Sequence, residues 1–497
     1  MPDPARVPVI VGVGQVNDRS EDPATALDPV QLMVAALRTA DEDAGGGWLA
    51  RAGSLAVVDQ ISFRGLNPVV DAVADALGIA PGHRVQTAGP MGDSPVRLLA
   101  EAANRIRSGA ADACAVVGGE ALRTAARRAA LAAGGAAADH NAMRGRHRER
   151  APDYRQRYGL VAPVDVYPLY ENATRAAWGQ TLAAAQRESA AMWARFSEVA
   201  ADNPAAWLRT QRTAEEIMTP SPANRPIAFP YLKLMVANIA VNQGAGFIVT
   251  SLAEARRRGV PEQRTAYVGL SAAAHESGDV LARDRFDASA GMRVSLEQAL
   301  RRNRVTIDAI DRVELYSCFP CVPKMARRIL GWPDDRAASV VGGLTFGGGP
   351  IGNYMSHAIA AMVLALRAEG GTGLLFGNGG FATHNHSILV SSEPIAGAQA
   401  EDDFDCQALA DAARAAAPLV DEEHTGAGRV ETYTVFYDRD GAARQGVVVA
   451  RNDAGARFLA VVRGEDAIGV LTRGDAEPVG LRGTAVRGAD GLVEWGF

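Results

Sequence analysis

Side chains able to exchange protons near neutrality concentrate in the second half of the chain. Tyr354 and His357 are three residues apart, within reach on one face of a helix, and His384 and His386 share one side of an extended segment. Imidazole titrates close to physiological pH, so the three histidines could form an acid/base cluster or equally sit as satisfied polar groups on a rim. Cys318-Phe319-Pro320-Cys321 lacks the second pair that a structural zinc needs and the surroundings of a thioredoxin-like redox motif. No carboxylate or further histidine stands at helpful local spacing, so no metal site is expected.

The elements that must position these groups occur twice. Val57 to Phe63 reads as a strand that leads through Val73 to Gly78 to the turn Gly89-Pro90-Met91-Gly92-Asp93-Ser94-Pro95. Val313 to Phe319 leads in the same order through Ala326 to Gly331 to Gly342-Gly343-Leu344-Thr345-Phe346-Gly347-Gly348-Gly349-Pro350. Each proline is expected to open an apolar helix, and each helix feeds a buried strand that ends in glycine, Cys114 to Gly119 and Leu374 to Gly379. In the first turn Asp93 or Ser94 is expected to cap the helix, with Pro95 in its first turn. A duplicated α/β half is the working architecture.

At 497 residues and 48% apolar content the chain can bury a large core. A net charge of -6 gives no reason to expect nucleic acid or an anionic membrane as partner. The N-terminal residues lack a signal-peptide layout, no apolar run reaches spanning length, and four cysteines are too few for a disulfide framework, which together point to the cytoplasm. Val9-Ile10-Val11-Gly12-Val13-Gly14 reads as a buried strand, and its Gly12-x-Gly14 lacks the third glycine of a dinucleotide fingerprint.

The expected division is 1–120 for the first half, 121–225 for an inserted helical region, 226–260 for the return to the first half, and 261–393 for the second half. A linker over 394–428 with one short helix and a barrel over 429–497 follow. Within the insertion, helical patterns run from Leu169 to Arg195 and from Ala205 to Met218. The tail alternates from Val430 to Tyr437, turns at Asp438-Arg439-Asp440-Gly441, and continues in short strands at 446–451 and 457–462. That pattern suggests a small antiparallel barrel.

The two βαβ-rich halves, the insertion after the fourth strand and the glycine turns before buried helices resemble the thiolase superfamily over residues 7 to about 393. The added tail makes the chain similar to the sterol-carrier-protein-type thiolases and, more closely, to thiolase-like proteins of type 1. This resemblance implies two thiolase-type halves in a layered α/β/α/β/α arrangement plus a small C-terminal OB-like antiparallel β-barrel. It implies an acyl-CoA ligand, with no tightly bound cofactor, and either a homodimer or a monomer.

Thiolases place a nucleophilic cysteine at the start of the first buried helix, which corresponds here to Gly92. Their strand-end His or Asn corresponds to Tyr316, the histidine of their Gly-His-Pro turn to Gly349, and their base cysteine to Gly377-Asn378-Gly379-Gly380. All four positions depart from the family pattern, so thiolysis through a cysteine is not expected. Steroid side-chain aldolases of the same superfamily also lack that cysteine and use tyrosines as acid or base, which makes Tyr316 the leading catalytic candidate, with Tyr354, His357 and His384 in support. Gly92, Ser94, Gly349, Asn378 and Gly379 are the candidate acyl-CoA-binding positions, because amides at two glycine-rich helix starts suit an oxyanion or thioester carbonyl. Arg144, Arg146, Arg148 and Arg150 could meet coenzyme A phosphates or form a solvated loop. Two readings follow: an acyltransferase-like or aldolase-type C–C bond enzyme of lipid metabolism without the usual cysteine, or a silent homologue serving as an acyl-CoA-binding or protein-interaction module.

Overall fold

The computed structural model describes residues 3–133, 153–395 and 403–497; the arginine run at 144–150 lies outside them. Strands β1 (Pro8–Asn17), β2 (Ser54–Val57), β3 (His83–Gln86), β4 (Ala113–Ala121), β5 (Pro226–Ala228), β6 (Tyr231–Leu232), β7 (Asn242–Ser251), β8 (Ala266–His275), β9 (Arg312–Leu315), β10 (Thr372–Gly379) and β11 (His384–Ser391) precede the tail. Nine of them form one sheet in the order β3-β2-β4-β7-β1-β8-β11-β10-β9. The duplication is visible in this order. Hairpin-like antiparallel pairs β1/β7 and β8/β11 lie at the centre, parallel β2/β4 and β9/β10 pairs flank them, and two residue pairs, Val9 with Tyr267 and Ile10 with Ala266, join the halves. The second half has no strand matching β3, but Ala338 occupies its place by accepting a hydrogen bond from the Leu315 amide at 2.9 Å.

Each half buries its sheet under matching helices: α1 (Pro29–Asp43) and α2 (Ser94–Ser108) in the first, then, after the insertion helices α3 (Pro163–Ala177) and α4 (Leu182–Asp202), α5 (Ala290–Arg302), α6 (Cys321–Leu330) and α7 (Tyr354–Glu369) in the second. The central strands are apolar without alternation because helices cover both faces. Gly12 and Gly14 exist for that packing. A Cβ on either would overlap a carbonyl oxygen of α1, that of Ala40 or that of Ala36.

Several local expectations shift. The strand of the first copy is Ser54–Val57, so the run read as a strand from Val57 to Phe63 meets it only at Val57, and that of the second is Arg312–Leu315; beyond each the chain turns towards the next helix. Pro95 sits in the first turn of α2, but Pro350 is followed by a turn through Gly352 and helix α7 begins only at Tyr354. The insertion helix starts at Pro163 rather than Leu169, since a proline with its fixed φ suits a first turn, and the 205–218 pattern is helical only over Ala214–Met218.

Strands β12 (Gly426–Tyr437), β13 (Ala443–Arg451), β14 (Arg457–Val462), β15 (Arg482–Arg487) and β16 (Val493–Gly496) close into a five-stranded barrel in the order β13-β14-β16-β15-β12, with β12 returning to β13. Tyr433, Val435, Val448, Phe458 and Trp495 fill it. The barrel grips the insertion. Thr432 Oγ1 donates to the Leu169 carbonyl at 2.5 Å, and Asn172 Nδ2 donates to the Tyr433 carbonyl at 2.9 Å. Arg175 pairs with Glu477, and Phe436 extends the sheet to Ala228 of β5. Arg457, fully buried, pairs with Glu431 at 2.7 Å and donates to the carbonyls of Leu281 and Arg283, which ties the barrel to the second half.

Candidate active site

The two glycine turns converge on one cleft of about 330 Å³. Its walls include Gly92 at the start of α2, Tyr316 and Cys318 after β9, Gly349 of the second turn, and Asn378 and Gly379 at the end of β10. Val164 and Tyr167 of α3 complete it, so the insertion held by the barrel also shapes the site. Apolar side chains of Val236, Ile239, Leu344 and Ile351 line the rest.

Tyr316 decides the chemistry of the Gly92 position. A Cβ on Gly92 would overlap the Asn378 carbonyl oxygen and the Tyr316 hydroxyl, and would stand 2.6 Å from the Tyr316 Cζ. The backbone of Gly92 is outside the left-handed region, so space alone rejects a side chain there. The Tyr316 phenol fills the volume that a residue-92 side chain would otherwise take. Its position is fixed from two sides. The Tyr316 amide donates to the Phe376 carbonyl at 3.1 Å, and the Tyr354 ring meets it edge-on at 5.8 Å.

Tyr354 therefore supports the site from behind without lining the cleft. Its hydroxyl donates to Glu314 Oε1 at 2.8 Å, and the other carboxyl oxygen accepts from Ser339 Oγ and the Val340 amide, both at 2.9 Å. Burial pushes the Glu314 carboxyl up to about 7. Burial likewise holds Tyr316 well above its ordinary 10, with Cys318 and Asp93 adding to the rise, and pushes Cys318 up to about 12. At neutral pH the cleft thus presents a phenol and a thiol, each still carrying its proton. These are hydrogen-bond and proton donors rather than nucleophiles.

The remaining expected residues divide. Asn378 is in the wall, its Oδ1 accepting from the Tyr167 hydroxyl at 3.2 Å and its Nδ2 donating to Asn385 Oδ1 at 2.9 Å. Tyr167, which sequence reading passed over, also donates to the Gly380 carbonyl at 3.1 Å, accepts from the Ala382 amide at 2.8 Å, and stacks on Phe319 at 4.4 Å. Gly349 lines the cleft, but its amide is spent on the Asn238 carbonyl at 2.8 Å and cannot serve as an oxyanion donor. Ser94 is buried away from the cleft, and neither it nor Asp93 makes a side-chain cap to α2. The Gly92 amide donates to no partner among the described residues, which leaves one of the two expected helix-start donors open.

The histidines do not gather. His357 is 2% exposed, its Nδ1 pairs with Gln15 Oε1 at 2.9 Å, and burial pulls it down to about 3. His386 bonds Ser271 Oγ at 3.0 Å and is pulled down to about 3 for the same cause. Both are neutral core residues, because helix and strand turn them into the packed interior instead of towards the turns. His384 lies behind Gly380, beside His275 of the neighbouring strand. Among the described residues no group of three or more ligating side chains could hold a metal ion.

The C-terminal residues 409–490 match the family model described as the thiolase-like protein type 1 additional C-terminal domain. Over its whole length the chain is 31% identical to a monomeric SCP2-thiolase like protein type 1 from Mycobacterium smegmatis, also covered in full, with a TM-score of 0.82. The chain belongs to this thiolase-like type 1 family. The Ltp2-ChsH2(DUF35) aldolase shares the fold at 17% identity, with 79% of this chain and 99% of that chain covered and a TM-score of 0.59. Human mitochondrial 3-ketoacyl-CoA thiolase, solved in complex with CoA, shares it at 13% identity, with 78% and 99% covered and a TM-score of 0.59. No curated protein matches the sequence. In this member the space beside Gly92 is taken by the Asn378 carbonyl oxygen and the Tyr316 phenol.

Proposed function

We propose that the cleft binds an acyl-CoA thioester and that Tyr316 acts as a proton donor in an aldolase-type C–C bond reaction without a covalent acyl intermediate. The observation that carries this reading is the Tyr316 hydroxyl standing against Gly92 at the open N-terminus of α2. In the cleavage direction a 3-hydroxyacyl-CoA loses its hydroxyl proton, and the C2–C3 bonding electrons pass into the thioester as an enolate. C3 leaves as a carbonyl, and C2 takes a proton from the phenol. The hydroxyl proton passes to solvent and the Tyr316 phenolate left after C2 is protonated regains a proton from solvent, so no net proton is consumed. The Gly92 amide and the α2 dipole suit the enolate oxygen. The aldolase named among the fold relatives supports the reaction class, and the CoA complex supports the ligand.

The test offers the purified full-length chain panels of 3-hydroxyacyl-CoA and 3-ketoacyl-CoA. Release of a carbonyl product and a shortened acyl-CoA from a 3-hydroxy substrate is expected, with kcat lost about 100-fold or more in Tyr316→Phe. Turnover that persists in Tyr316→Phe removes Tyr316 from the mechanism. The protonated state of both cleft acids favours a second reading, a catalytically silent acyl-CoA-binding module. Calorimetric CoA binding with no turnover on either panel would select it.

A further inference from the structure

Strands β10 and β11 form a hairpin whose turn runs through Gly380, Phe381, Ala382 and Thr383, and Gly380 is in the wall of the cleft. Ala382 stands in the left-handed region at φ 55°, a conformation that opposes an alanine side chain and persists only where neighbours hold it. Those neighbours come from three directions. Tyr167 of α3 donates to the Gly380 carbonyl at 3.1 Å and accepts from the Ala382 amide at 2.8 Å, and Tyr170 of the same helix donates to the Phe381 carbonyl at 2.9 Å. Arg283 of the second half donates to the same Phe381 oxygen at 2.6 Å. The Arg155 guanidinium lies over the Phe381 ring, 4.8 Å from its centroid.

Each of these holders is itself held by the barrel. On either side of Tyr170, the Leu169 carbonyl accepts from Thr432 Oγ1 at 2.5 Å and Asn172 Nδ2 donates to the Tyr433 carbonyl at 2.9 Å. The Arg283 carbonyl accepts from Arg457 at 2.7 Å. Tyr154 and Tyr158, which flank Arg155, accept from the barrel amides of Leu459 at 2.8 Å and Val493 at 3.1 Å. Three hydrogen-bonded routes thus leave the barrel and end on one turn of the cleft. Hydrogen bonds are directional, so a buried network of them fixes a position where apolar packing alone would let surfaces slide.

We propose that the barrel is the positioning element of the cleft: through Tyr167 and Tyr170, Arg283 and Arg155 it holds the 380–382 turn, and with it the wall from Asn378 to Gly380, in the shape that receives the ligand. The residues named are positioning residues. The identity of the ligand rests on the acyl-CoA reading above, and the hold on the turn does not.

The experiment is amide hydrogen exchange of the full-length chain, read by mass spectrometry of the peptide spanning 379–384. Thr432→Val combined with Asn172→Leu removes both bonds at nearly constant volume and leaves the Arg175 pair with Glu477 to keep α3 docked. Exchange across the turn should quicken about fivefold or more, while β13 and β14 stay as protected as in native protein. Thr432→Ser keeps the donor and should keep the native rate. Arg463→Gln breaks pairs that lie only within the barrel, with Asp490 and Glu494, and should also keep it. Native exchange of the turn in the double variant overturns the proposal, as does equal quickening by Arg463→Gln. Should the double variant not fold, Tyr170→Phe cuts the last link alone and should quicken the same peptide; a native rate there overturns the proposal. Calorimetry with CoA supplies the binding arm: affinity should fall about fivefold in the double variant and hold in Thr432→Ser, and equal affinity in all three proteins overturns the role in binding. If CoA binds none of them, the acyl-CoA reading fails, while the exchange rates still decide whether the barrel positions the turn.

Discussion

The two glycine turns descend from one repeated pattern, yet they exclude a side chain to very different degrees. At Gly92 a Cβ would overlap the Asn378 carbonyl and the Tyr316 hydroxyl, whereas at Gly349 its nearest neighbour would be the Asn238 carbonyl at 3.2 Å, followed by atoms at 3.4 Å. The first position is closed by a residue from the opposite half of the molecule, and the second is merely unoccupied. At the position that the resemblance aligns with a thiolase cysteine a side chain is excluded by packing, while at the position it aligns with a thiolase histidine there is room for one.

The largest expected effect is at the closed turn. Gly92→Cys should destabilise the chain by about 3 kcal/mol or more through overpacking, and the double change with Tyr316→Ala should recover only part of it, because the Asn378 carbonyl oxygen stays in place. Urea unfolding measures both, and a Gly92→Cys variant as stable as native protein would break the comparison. Next comes the support under Tyr316. Glu314 has a folded value near 7 against an ordinary 4.5, so its contribution is fully present below about pH 4.5 and is lost as pH rises through about 7. Glu314→Gln should flatten the stability-versus-pH curve across that window by an amount on the order of 3 kcal/mol. An unchanged slope in pH-dependent denaturation would detach Glu314 from that role.

Smaller changes sharpen the contrast. Tyr167→Phe removes the hydroxyl shared by Asn378, Gly380 and Ala382 and should cost about 1 to 3 kcal/mol, since it strands buried partners. Its acyl-CoA affinity, read by calorimetry, should fall with it. At the open turn, Gly349→His should cost only about 1 kcal/mol in thermal unfolding, because its neighbours need give way by a few tenths of an ångström. A loss as large as that of Gly92→Cys would show the two turns to be equally closed.

Much of the fold was legible because its signals are local. Continuous apolar runs marked the strands under two helix layers, glycine turns marked the repeat, and alternation with a tight turn marked the barrel. The helix over Glu465–Thr472 inside the barrel segment escaped notice, its short apolar run reading as readily as a strand. In the site, Gly92, Gly349, Asn378, Gly379 and Tyr316 share the cleft, as the repeat and the resemblance suggested. His357 and Tyr354 do not line it. Three-residue spacing placed them on one helical face, but that face turns into the core. Tyr167 and Glu314 were given no role from the sequence, and their parts in the site come only from distant partners.

The sequence by itself determined the duplicated halves, the added barrel and a glycine at position 92, where the thiolase resemblance implies a nucleophile, since each is a statement about residue type and short-range order. Only the tertiary structure decided why the nucleophile is missing and what stands in its place. A glycine shows that no side chain is present, and nothing nearby in the chain names the atoms that exclude one. Packing is a property of surfaces brought together across the fold, and here it sets a phenol from the second half against a helix start from the first.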